Sequence, residues 1–196
     1  MNAAGGTHAV TVGEDAEFAE VVERQWRFVL RVAYAVLLNS HDAEDAVQET
    51  FLKLYRNRGW RNMVNERAFL ARVAWRVATD RRSNSVRASV TGTSAGPIEV
   101  ADPQSLEPDP EEMLILANDH TLIHSMIDAL PEELRVPLVL SSDDDLNSRQ
   151  IGRILGISEG TVRTRLQRAR QLLRQKIAAR THSTVGSQDR REVRNA

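Results

Sequence analysis

The sequence predicts an all-α protein of two small helical domains joined by a flexible linker, the C-terminal one a helix-turn-helix. Three observations carry this. Apolar residues recur at steps of three and four in successive segments, the mark of amphipathic helices. A run rich in Ser, Thr, Gly and Pro, residues 83–110, interrupts that periodicity. Hydrophobic residues make up 41% of the 196 but aromatics only 5%, which suits two small cores better than one large one.

In chain order, residues 1–13 are small and polar and read as disordered. From Glu14 to Leu38, Phe18, Val22, Trp26, Val29, Val32, Ala33, Val36 and Leu37 recur at helical spacing, and Asn39-Ser40-His41 breaks the helix. A second helix opens on acids that suit the positive end of a helix dipole. Its buried face is Ala43, Ala46, Val47, Thr50, Phe51 and Leu54, which leaves Asp42, Asp45, Gln48, Glu49 and Lys53 outward. A carboxylate metal site is excluded there, because such sites need inward ligands and a Glu-x-x-His partner that is absent. A solvated surface and a docking face both remain open on composition.

A basic loop, Arg56 to Asn65, follows, with Gly59 as breaker and Trp60 either plugging the core or stacking on an unpaired base. Glu66 to Arg82 is helical, with Phe69, Leu70, Val73, Ala74 and Val77 inward and Arg72, Trp75, Arg76, Asp80, Arg81 and Arg82 outward. Arginines beside aromatic rings suit single-stranded DNA, where cations meet phosphates and rings stack on bases. These helices form the domain 14–82; 83–110 is the linker, read as a tether or an inert spacer; 111–178 is the second domain.

In the second domain a helix over 111–130 turns Leu114, Ile115, Leu122, Ile123, Met126 and Ile127 to the core. Pro131 starts the next helix and Pro137 kinks or shortens it. Asp143, Asp145 and Asn147 mimic the start of a calcium loop, but Ser148 and Ile154 stand where Gly and Glu are required, so this is a capping turn. Ser148 is positioned to cap a short helix carrying Ile151, Ile154 and Leu155. Gly156 ends that helix, Gly152 permits a close crossing, and Ser158 caps the next one. That last helix carries Val162, Leu166, Ala169, Leu173 and Ile177 on one stripe, with Arg163, Arg165, Arg168, Arg170, Arg174 and Lys176 elsewhere. After Ala178 the tail reads as irregular. A Lys/Arg-rich helix alone reads as a solvated face; preceded by a short helix and a glycine turn, this basic helix is expected to enter a DNA major groove.

The run Leu130-Pro-Glu-Glu-Leu-Arg-Val-Pro-Leu-Val-Leu leading into Gln150 to Leu173 resembles the DNA-binding region of bacterial sigma factors of the extracytoplasmic-function type, in the sigma-70 family. Asp42-Ala-Glu-Asp-Ala-Val-Gln-Glu-Thr-Phe-Leu-Lys-Leu-Tyr resembles that family's polymerase-gripping helix. Gln150 and Gly152 depart from the Glu and Ala more usual there. The resemblance implies that Asp42, Asp45, Gln48 and Glu49 dock on core RNA polymerase, with contacts to its largest catalytic subunit and the flap region of the second. It implies that Trp60, Arg72, Trp75, Arg76, Asp80 and Arg81 engage the promoter -10 element. Ser158, Glu159, Gly160, Thr161, Arg163, Thr164, Arg165 and Arg168 would read the -35 element, and an anti-sigma factor would hold the chain inactive.

A net charge of -1 argues against nucleic acid only as an average. The basic runs Arg72 to Arg82 and Arg163 to Lys176 stand apart from the acidic Asp42 to Glu49, Glu99 to Glu112 and Asp143 to Asp145. The absence of cysteine excludes disulfides and thiolate metal sites, and no leader or long apolar run is present, so a cytoplasmic protein without membrane insertion is expected. An enzyme would need a nucleophile, phosphate loop or metal set, and none is found; no cofactor is expected. The competing reading is a helix-turn-helix regulator that binds duplex DNA without being a sigma subunit.

Overall fold

The computed structural model describes residues 6–90, 122–142 and 145–192, and every regular element among them is helical. The first unit is a three-helix bundle of α1 (Gly6–Leu37), α2 (Ser40–Arg56) and α3 (Glu66–Val90), with a 3-10 turn at Gly59–Asn62 between the last two. The second comprises α4 (residues 122–128), α5 (Glu132–Ser141), α6 (Ser148–Leu155) and α7 (Glu159–Glu192).

Helices α2 and α3 start where a side chain satisfies a free amide. Leu38 adopts a left-handed conformation (φ 53°) and its amide bonds back to Tyr34, ending α1. The Asn39 side chain then accepts from the Asp42 amide at 3.0 Å and opens α2. Asn65 does the same for α3 through the Ala68 amide at 2.8 Å. On α2 all six residues expected inside are buried, and the Thr50 hydroxyl donates to the Ala46 carbonyl at 2.7 Å, which explains a polar residue in that core.

Several expectations are corrected. Helix α1 begins at Gly6, so residues 6–13 extend it where disorder was expected. Trp26 is 41% exposed; Val29, Val32, Ala33 and Val36 are buried as read from the sequence, and Val21, Gln25 and Phe28 are buried with them. Phe69 is exposed beside Gly59, whereas Ala71 and Ala78 are buried. Helix α3 continues to Val90, into the stretch expected to be linker; 91–110 lies outside the described residues, as do 111–121 with Leu114 and Ile115. Ile123 is exposed and Met126 buried. Pro137 is buried inside α5 without ending it, and α7 runs through the tail to Glu192.

The two units share one buried cluster. Phe28, Val29, Val32 and Val36 of α1 and Leu70 and Ala74 of α3 are continuous with Val136 and Leu140 of α5, Ile151 and Ile154 of α6, and Val162 and Leu166 of α7. A polar seam runs beside it. The Arg135 guanidinium, 5% exposed, donates to the Ala35 carbonyl in α1 (2.8 Å) and to the carbonyls of Asp128 (2.9 Å) and Leu130 (2.8 Å) at the end of α4. Tyr34 donates to Asp128 at 3.2 Å, Arg67 pairs with Asp145 at 3.2 Å, and Arg82 pairs with Glu132.

Replacing Arg135 by Met keeps the volume but strands these carbonyls in a dry seam, which costs roughly 3 kcal/mol. Urea unfolding of Arg135→Met is expected to show that loss in midpoint stability, with Arg135→Lys intermediate because an ammonium lacks the planar fork. An unchanged midpoint for Arg135→Met would refute the clamp.

Candidate functional site

On α2 the outward residues lie on one face, but they differ in what they meet. Asp42 and Gln48 are exposed, whereas Asp45 and Glu49 are half-buried by α3. Arg81 donates to Glu49 at 3.0 Å and to Asp45 at 3.1 Å, and Lys53 pairs with Glu49 at 2.8 Å one helical turn on. Arg81, grouped from sequence with the DNA-facing residues, is thus committed to the acids of α2. Lys53, followed by Arg81, holds the Glu49 carboxyl below its ordinary range against the opposing effect of burial. For Arg81, burial works against the charge, but Glu49 and Asp45 outweigh it and raise the guanidinium above its usual value.

The rest of the first unit's set divides between two places. Arg72, Arg76 and Asp80 are exposed on α3 at steps of four, a single stripe. Trp75 is half-buried and packs on the central cluster. Trp60 lies in the 3-10 turn, its ring 5.5 Å from that of Phe18, with Arg61 stacked over it at 5.6 Å. Of its two sequence readings, the contact with Phe18 favours a ring seated in the small core.

In the second unit the helix-turn-helix is assembled as its glycines require. Gly156 adopts φ 71°, the left-handed region that favours glycine. A Cβ on Gly152 would meet the Ile157 carbonyl at 2.7 Å, so α6 and the turn approach more closely than alanine allows. The cap of α6 is Asn147, not Ser148: its side chain accepts from the amides of Arg149 and Gln150, while the Gln150 side chain accepts from the Asn147 amide. That capping box gives Gln150 its local role. Ser158 caps α7 by accepting from the Thr161 amide at 3.1 Å, and its hydroxyl meets that of Thr161 at 2.8 Å.

Along α7, Val162, Leu166 and Ala169 are buried, and Ile177 is 49% exposed beyond the support of α5. Ser158, Gly160, Arg163, Thr164 and Arg168 are exposed; Glu159, Thr161 and Arg165 are half-buried. Thr164 donates to the Gly160 carbonyl at 3.0 Å. Glu159 accepts from Arg163 at 2.5 Å and from Arg149 of α6 at 3.3 Å, so one carboxylate orients an arginine on each helix. Arg163, Arg170 and Arg174 line a shallow groove against Asn147 and Ser148 at the start of α6. Arg170 and Arg174 were not in the sequence-derived set. Their spacing of seven and eleven from Arg163 was the signal that could have found them.

Among the described residues no group of three His, Asp or Glu is arranged to hold a metal, and no helix is long and apolar enough to cross a membrane. A basic helix held by a glycine turn and packed against a three-helix bundle is the arrangement of a helical protein of the DNA-binding, helix-turn-helix class. Residues 21–87 match the family model "Sigma-70 region 2" and residues 120–173 match "Sigma-70, region 4".

The chain is 31% identical over 178 residues to the ECF RNA polymerase sigma factor SigW of Bacillus subtilis, covering 86% of this chain and 92% of that one. It is 30% identical over 177 residues to ECF RNA polymerase sigma factor SigE of Mycolicibacterium smegmatis, covering 86% of this chain and 64% of that protein's length. Among solved structures, the sigma factor RpoE in complex with the anti-sigma factor NepR from Bartonella quintana matches with a TM-score of 0.67 at 17% identity, over 83% of this chain and 97% of that one. The chain belongs to the sigma-70 family, as a sigma factor of the extracytoplasmic-function type. It is a non-catalytic subunit for transcription initiation.

Because the Glu49 carboxyl is depressed in the folded chain, its contribution to stability is intact above the ordinary glutamate value of about 4.3 and is lost as pH falls through the lower folded value. Acid unfolding followed by circular dichroism is expected to begin at higher pH in Arg81→Met than in the wild type. Coincident curves would show that the Arg81 pairs contribute nothing.

Proposed function

We propose that the chain docks on core RNA polymerase through α2, opens the promoter -10 element with the loop and stripe of α3, and reads the -35 element with α7. The observation that carries this is the division of exposed side chains: acids on α2, arginines on α3, and hydroxyls and arginines on α7, each on its own surface. On α2, exposed Asp42 and Gln48 are available at once, while Asp45 and Glu49 are presented in a geometry set by Arg81. On α3, Arg72 and Arg76 meet phosphates of the melted strand, with Asp80 on the same stripe; Trp75 of α3 and Trp60 of the preceding turn act from half-buried positions. On α7, Arg163, Arg165 and Arg168 meet base edges and phosphates, and Ser158, Glu159, Gly160, Thr161 and Thr164 lie on its first turns.

The partners in this reading are the largest catalytic subunit of the polymerase, the flap region of the second, promoter DNA, and an inhibitory anti-sigma factor of the kind named with the Bartonella quintana structure. The working compartment is the cytoplasm, where the polymerase is.

Reversing Asp45 and Glu49 to Lys is expected to weaken binding to core polymerase at least tenfold; equal recovery in a pull-down would remove α2 as the docking face. Arg163→Ala with Arg165→Ala is expected to lower -35 occupancy, at about 1–3 kcal/mol for each base-directed contact. Arg76→Ala should spare -35 protection and lower permanganate reactivity of -10 thymines. Loss of strand opening from the α7 substitutions on an artificially recruited complex would overturn the division.

A further inference from the structure

Helix α2 ends on Arg56 and the loop that follows holds Arg58 and Arg61 in a short span; Arg58 adopts a left-handed conformation (φ 49°) uncommon for a residue with a Cβ. Few backbone bonds hold it: the Asn57 amide reaches Lys53 at 3.1 Å, the Arg58 amide reaches Tyr55 at 3.2 Å, and the Arg61 amide reaches Arg58 at 3.3 Å. What covers it is one turn of α1. The Glu14 carboxylate pairs with Arg61 and lies 3.8 Å from Arg58. Tyr55 donates to Asp15 at 2.7 Å. The Phe18 ring sits 6.4 Å from Phe51, 5.2 Å from Tyr55 and 5.5 Å from Trp60. All three of these α1 residues precede the family-matched segment, which begins at residue 21.

We infer that Glu14, with Asp15 and Phe18 beside it, is a positioning residue for single-stranded DNA: it holds Arg61 and Trp60 in place and subtracts charge from the loop. The inference rests on the proposed -10 role of this loop. Arg61 is tied on both sides, by Glu14 and by the Trp60 ring, whereas the Arg58 side chain is 64% exposed and only loosely paired. The loop therefore offers Arg58 to a phosphate while Arg61 stays with Glu14. Removing the carboxylate frees a second cation, which raises sequence-blind attraction and loosens the geometry that distinguishes one base from another.

The test uses holoenzyme formed from the full chain and core polymerase. One probe is a single-stranded oligonucleotide carrying the non-template -10 segment of a promoter selected by the wild-type holoenzyme; the other has the same bases shuffled. Glu14→Gln is expected to bind the shuffled strand more tightly and to steepen the fall of log affinity with log salt by about 0.7, one more phosphate contact on a single strand. Preference for the authentic strand should fall at least fivefold, and Glu14→Asp should restore much of it. A general loss of folding would lower core binding and both affinities together, without steepening the salt slope. Unchanged salt slope and preference in Glu14→Gln would overturn the inference. Arg76→Ala separates the two failures. If it weakens binding to the authentic strand while Glu14→Gln changes nothing, the positioning role alone is wrong. If Arg76→Ala also changes nothing, the -10 reading fails and the inference goes with it.

Discussion

A guanidinium in a nearly dry seam is the constraint on which the arrangement of this chain depends. Burial pushes the Arg135 guanidinium down from its ordinary value, partly offset by Asp128. It stays charged because its donors meet carbonyls at the ends of two helices, where such acceptors lack partners within the helix. Ala35 belongs to the first unit and Asp128 and Leu130 to the second, so one side chain satisfies both ends and fixes their approach. The apolar cluster that spans the units supplies the non-directional attraction; Arg135 supplies direction.

The charged surfaces follow a second rule: charges are oriented by opposite charges within the chain itself. Glu159 gathers Arg149 and Arg163 at the mouth of the helix-turn-helix, Arg81 gathers Asp45 and Glu49, and Glu14 gathers Arg58 and Arg61. Each pair is partly exposed, so its contribution to stability is modest. What it does is restrict long, rotamer-rich side chains to fewer conformations. A net charge of -1 in a DNA-binding chain is then unsurprising, since several of its acids neutralise arginines at their own sites.

Much of this was legible in the sequence, because the features involved are short-range. The apolar face of α2 was readable to the residue, from Ala43 to Leu54, since helical period alone decides it. Gly152, Gly156 and Ser158 were assigned correctly from backbone chemistry. Two of the errors fall where an adjacent residue competes. Asn147 took the cap from Ser148 because its amide-bearing side chain reaches two free N–H groups and Gln150 reaches back to it. On α1 Gln25 is buried and Trp26 is not, and the Gln25 side-chain amide donates to Glu66 of α3 at 2.5 Å.

The sequence by itself determined the helical class, the three-plus-helix-turn-helix order of elements and the family, since periodicity, capping and motif spacing are properties of neighbouring residues. Only the tertiary structure decided that the units share a core, that Arg81 faces the acids of α2, that Trp60 rests on Phe18, and that Glu14 pairs with Arg61 of the basic loop. These contacts join residues about thirty to a hundred positions apart. Nothing in local propensity encodes such a pairing; it is selected when packed helices bring the groups within a few ångströms.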